Sequence, residues 1–99
     1  MNISRCDQTK KVVFELSGRL DTLTSMMLQN SIIREFETAS HVILDFKQIS
    51  YISSIGLRAL LSGEKVAKTK GLKQTLINVS ENVMDMLRIT GLNRVLTVE

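Results

Sequence analysis

Over residues 11–17 apolar and polar positions alternate with period two, placing Val12, Phe14 and Leu16 on one side. This predicts a strand that Gly18 breaks; residues 2–6 form a weaker strand, joined to it by a short polar turn and paired with it antiparallel. The period then lengthens. Leu28, Ile32, Phe36 and Ala39 recur at helical spacing behind Asp21, a good N-cap, and predict a helix over residues 22–38. Residues 41–46, HVILDF, are apolar and β-branched enough for a central strand covered on both faces.

A second helix is predicted over residues 54–70, with Gly71 as its left-handed stop. Gly56, Ala59, Leu60, Gly63, Val66 and Ala67 fall on its inner face, where the two glycines allow its backbone to lie close to the sheet. Arg58, Ser62, Lys65 and Lys68 fall on its outer, solvated face. Residues 74–79 read as the next strand. Ser80 caps a short helix carrying Val83, Met84 and Leu87, Gly91 stops it, and residues 94–98 form a last strand. The order β-β-α-β-α-β-α-β is that of an α/β single domain: a mixed, mostly parallel sheet of about five strands packed with helices through right-handed crossovers.

Composition narrows the chemistry. The 99 residues, 43% of them hydrophobic and 23% charged, suffice for one folded domain without disulfides or metals. Cys6, the single cysteine, reads as a small strand residue and fits a reducing compartment. No set of cysteines and histidines offers a metal site. Residues 1–11 are charged, and no stretch approaches the ~20 apolar residues of a spanning helix, so a cytoplasmic protein without membrane insertion is expected. Thirteen Lys and Arg against ten Asp and Glu give a formal charge of +3, but the basic residues are scattered, with three Phe and one Tyr beside them. Direct nucleic-acid binding is not expected.

The inventory also argues against an enzyme. His41 opens a strand and has no triad partner in view, and a G-x-S-x-G elbow is absent. There is neither G-x-G-x-x-G nor a Walker A loop, and no catalytic carboxylate pair stands out. No cofactor is expected.

In open α/β sheets, sites form where strands lead into helix N-termini. Two turns meet that description, residues 18–22 and residues 49–56, the latter reading ISYISSIG. Ser53 and Ser54 sit where the second helix begins. Either hydroxyl can accept a bond from the first-turn N–H groups, whose partial positive charge tolerates a phosphate. A weak nucleotide contact at that helix end stays open.

The stretch DFKQISYISSIGLRALL, residues 45–61, resembles the signature of STAS domains, the anti-sigma factor antagonist family of bacteria. The resemblance runs along essentially the whole chain, including SGRLD at residues 17–21 and ITGL at residues 89–92. Gly56 and Leu57 match the end of the family's serine-glycine turn, so Ser54 falls on its phosphorylatable serine. Two positions depart: Ser53 stands where Asp is common, and Ile55 stands where a small hydroxyl residue is common.

What the resemblance implies is a switch. The unmodified domain binds an anti-sigma factor that is also a serine kinase, phosphorylation of Ser54 ends that binding, and a serine phosphatase restores it. On the first helix Leu23, Met26 and Met27 point away from the face set by Leu28, Ile32 and Phe36, leaving apolar groups near Ser54. The expected partner-binding surface therefore comprises Asp21, Thr22, Leu23, Met26, Met27, Ser53, Ile55, Gly56, Leu57 and Arg58, around Ser54. The alternative is a STAS subunit of a larger transporter-associated or signalling assembly, in which Ser54 only caps its helix.

Overall fold

The computed structural model describes residues 11–99 in full and residues 3–8 as backbone. The elements are β1 (Ile3–Gln8), β2 (Lys11–Leu20), α1 (Thr22–Glu35), β3 (His41–Ile52), α2 (Ser54–Lys70), β4 (Lys73–Ile77), α3 (Glu81–Thr90), a 3₁₀ turn (Leu92–Arg94) and β5 (Thr97–Val98). They form one five-stranded sheet in the order β1-β2-β3-β4-β5. β1 pairs antiparallel with β2, and β2 to β5 run parallel to one another. The expected architecture is the observed one. The side chain of Cys6 lies outside the described residues.

Because each parallel strand neighbours the next in sequence, right-handed crossovers carry every helix to the same face. Burial follows that geometry. Along β3, Val42, Leu44 and Phe46 are fully buried, whereas His41, Ile43 and Asp45 are only half-buried, so the strand is not covered equally on both faces. The covered face meets Leu28, Ile32 and Phe36 of the α1 region, Leu60 and Ala67 of α2, and Val83 and Leu87 of α3 in one core.

Several boundaries differ from the sequence reading. β2 continues through Gly18, which takes φ 89° while the pairing with β3 shifts register around it. β3 runs on to Ile52, so most of the supposed loop after Phe46 is strand. α1 stops at Glu35 rather than residue 38, β4 at Ile77 rather than residue 79, and of the predicted last strand only Thr97–Val98 is extended, Arg94 closing a 3₁₀ turn instead. The glycine stops hold: Gly71 and Gly91 adopt φ 70° and 77°, which a Cβ would oppose.

Candidate functional site: two adjoining helix N-termini

β2 and β3 end side by side. Leu20 and Ile52 are register partners, and the Ser53 N–H donates to the Leu20 carbonyl at 2.9 Å. Each strand then enters its helix through a single residue, Asp21 into α1 and Ser53 into α2. The two helix ends, each with unpaired N–H groups and partial positive charge, therefore lie together at the carboxyl edge of the sheet.

At the α1 end the predicted cap is present. The Thr24 N–H donates to Asp21 Oδ1 at 3.2 Å, and the Asp21 N–H donates to Thr24 Oγ1 at 3.0 Å, a reciprocal capping box. The Thr24 hydroxyl lies 2.8 Å from the Arg19 carbonyl and 2.9 Å from Asp21 Oδ1. The Thr24 backbone N–H, then its hydroxyl, hold the Asp21 carboxyl below its ordinary value, so the site carries a fixed negative charge.

At the α2 end the two serines divide the roles. Ser53 is the N-cap, its Oγ accepting the Gly56 N–H at 3.1 Å, and Ser54 is the first helical residue and exposed. The sequence left either serine free to cap. Once Ser53 supplies the cap, the Ser54 hydroxyl is not needed for it.

The neighbouring surface is apolar. Leu23, Met26 and Met27 are 69%, 56% and 51% exposed, with Asp21, Thr22 and Arg58 exposed and Ile55 half-buried. Two residues expected on this surface lie below it. Leu57 is only 5% exposed and belongs to the core, and Gly56 is buried where α2 begins. A Cβ at Gly56 would stand 2.6 Å from Ile52 Cγ1, 3.1 Å from Ser25 Oγ and 3.2 Å from Leu20 Cβ. Gly56 thus sets how near α2 can come to α1 and to both strand ends.

Sequence reasoning missed Arg19 and Tyr51. They are register partners in the last turn of pairing between β2 and β3, and the Arg19 guanidinium stacks 4.6 Å from the Tyr51 ring centroid. They meet only through the two register shifts between β2 and β3, which no sequence pattern marks.

Chemically, the arrangement offers an exposed hydroxyl at the first turn of α2. His41 begins the twelve-residue β3 whose far end leads to Ser54, and its Nε2 lies 2.8 Å from Thr75 Oγ1. Among the described residues no group of three or more His, Cys, Asp and Glu could hold a metal, and no helix is long and apolar enough to cross a membrane.

Known proteins share this architecture. The anti-sigma-B factor antagonist of Bacillus subtilis (strain 168) is 22% identical over 98 residues, which cover 99% of this chain and 90% of that protein. The structure of the anti-sigma factor antagonist SpoIIAA in its unphosphorylated form superposes with a TM-score of 0.84 at 21% identity, covering 99% of this chain and 88% of the other. The Bacillus cell fate determinant SpoIIAA in its phosphorylated form gives a TM-score of 0.76 at 19% identity, with coverage of 99% and 91%. The STAS domain model matches residues 3–99, the span that forms the sheet, its helices and the paired helix ends, and the chain belongs to that family.

Proposed function

We propose that this protein is an anti-sigma factor antagonist that docks on an anti-sigma factor with serine kinase activity, and that phosphorylation of Ser54 ends the docking. The observation that carries this reading is the exposed Ser54 hydroxyl, relieved of capping by Ser53 and set beside the exposed Leu23, Met26 and Met27. A kinase can reach such a hydroxyl without unfolding the helix. The relatives point the same way: one is named for antagonism of an anti-sigma factor, and SpoIIAA is known in phosphorylated and unphosphorylated forms.

A phosphate on Ser54 adds about −1.5 to −2 charges at the first turn of α2. The helix end favours that charge, so the domain keeps its fold. A partner covering the apolar surface must instead desolvate the phosphate, at a cost of a few kcal/mol. Each 1.4 kcal/mol is tenfold in affinity, so about two to three decades of binding are lost. A serine phosphatase reverses the change, and the domain itself is not an enzyme.

The test is affinity capture from cells of the source organism with wild type, Ser54→Ala and Ser54→Asp as baits, together with intact-mass analysis after incubation with ATP and the captured partner. The expected result is a partner held by wild type and Ser54→Ala and lost with Ser54→Asp, and a mass gain of one phosphate that Ser54→Ala abolishes. A partner held equally by all three proteins, with no mass gain, overturns the proposal.

A further inference from the structure

Ser54 is the first residue of α2 and Arg58 stands four positions on, and both are exposed on the same outward side of the helix. Residues at that spacing lie about 5–6 Å apart at Cβ. Each Cα–Cβ bond tilts toward the helix N-terminus, so the longer Arg58 side chain leans back over the turn that begins with Ser54. Among the described residues Arg58 makes no ion pair and no side-chain hydrogen bond, which leaves its guanidinium free to turn.

Nothing else on α2 competes for that cation. The first turn holds no acidic residue, Ser53 caps it with a neutral hydroxyl, and Glu64, the one carboxyl of the helix, is buried further along. Lys65, Lys68 and Lys70 are exposed together with Arg58, so the outward side of α2 is positive. The nearby charges at the ends of β2 and β3 are already engaged: Arg19 stacks on Tyr51, and the Asp21 carboxylate accepts the Thr24 N–H. A dianion on Ser54 therefore meets Arg58 as its nearest free counter-charge on the helix. The planar guanidinium can span two phosphate oxygens, which an ammonium cannot.

We propose that Arg58 is the internal counter-ion of phosphorylated Ser54, the phosphate ester taking its guanidinium in an i,i+4 ion pair on the surface of α2. The inference rests on Ser54 being the modified residue. In the unmodified protein Arg58 is free to face a partner, whereas in the modified one it is turned back onto its own helix. Phosphorylation then changes the docking surface twice, by adding an anion and by withdrawing a cation. The pair also ties residue 58 to the first turn, so the modified domain is more stable than the unmodified one.

The test uses the full chain with phosphoserine introduced at position 54 during synthesis, so that no kinase is needed, in wild type, Arg58→Gln and Arg58→Lys. A ³¹P titration reads the second ionisation of the phosphate, which lies near pH 6 in an unpaired ester. The expected result is a value about 0.3 unit lower in wild type than in Arg58→Gln, or twofold in proton affinity, the size of an i,i+4 ion pair. Arg58→Lys, which keeps the charge and loses the fork, falls between them, and the difference shrinks at about 1 M salt. In urea, unmodified Arg58→Gln unfolds at the wild-type midpoint, and phosphorylation raises the midpoint of wild type more than that of Arg58→Gln. A phosphate that titrates alike in wild type and Arg58→Gln overturns the pair, as does an equal rise in midpoint in the two proteins. Affinity capture with the Ser54 variants reads partner binding alone, so a failure of capture would sink the docking switch and leave this pair standing, and a failure of the titration would do the reverse.

Discussion

Ser53 Oγ accepts the Gly56 N–H at 3.1 Å, and through that bond the serine before Ser54 closes the first turn of α2. The two hydroxyls are adjacent in sequence and unequal in energy. Ser53→Ala removes the cap and should cost about 1 kcal/mol. Ser54→Ala removes an exposed hydroxyl at the first helical position and should change stability by less than about 0.5 kcal/mol. Urea denaturation of both variants measures the difference. Equal losses would mean that Ser54 shares the cap and is not free for modification.

Gly56 is the second constraint at this end. Alanine is the better helix former by about 1 kcal/mol, yet its Cβ would stand 2.6 Å from Ile52 Cγ1, a contact that side chains do not make without displacement. Gly56→Ala should therefore destabilise the domain by about 1–3 kcal/mol despite its helix propensity. A lowered urea midpoint with unchanged slope is the expected signature.

Leu23 and Leu57 both belong to the surface expected from the sequence but have different roles. Leu23 is exposed on α1, and Leu57 is buried in the core. Leu23→Ala or Met27→Ala should leave stability within about 0.5 kcal/mol and weaken capture of the partner by tenfold or more, because truncated central apolar contacts typically cost over 1 kcal/mol. Leu57→Ala should cost about 2–4 kcal/mol of folding stability through the cavity it leaves. Capture and denaturation, measured on the same preparations, separate the two.

How much of this was legible in advance follows from the physics of each element. Helices announced themselves twice, by an apolar stripe and by a terminator, so α2 with Gly71 and α3 between Ser80 and Gly91 were readable to the residue. The strands carried weaker signals at their carboxyl ends. Gly18 reads as a break, but its φ of 89° is absorbed by a shift in register, and Arg19 and Leu20 remain paired beyond it. In β3 the run KQISYI loses strict alternation because pairing with β2 is irregular there, and Tyr51 was hidden with it. The apolar residues of the site were legible as those left over from the α1 core stripe, whereas the burial of Leu57 depends on how α2 turns at Gly56, which is a tertiary fact. A polar cavity at the amino end of the sheet, lined by Glu64, Gln74 and Thr97 among others, combines α2, β4 and β5, and no local pattern marks it.

The buried carboxyl in that cavity also makes a prediction about acid and base. Burial, opposed in part by Lys68 and the Thr97 N–H, raises Glu64 above its ordinary value of 4.5. A raised carboxyl means that the folded chain holds a proton which the unfolded chain has already released. Its contribution to stability is therefore complete below about pH 4.5 and is lost as pH rises through the folded value. His41 acts in the other direction. Burial first, then Lys11 and Lys73, lower it from 6.5, so its neutral form supports the fold above that pH and the support is lost as pH falls through the folded value. In urea titrations across this range, Glu64→Gln should match wild type near pH 4 and become progressively more stable than it toward about pH 7, where wild type must ionise a buried carboxyl. His41→Gln should flatten the loss of stability below pH 6.5. A Glu64→Gln curve parallel to wild type at every pH would mean that the carboxyl titrates alike in the folded and unfolded chains.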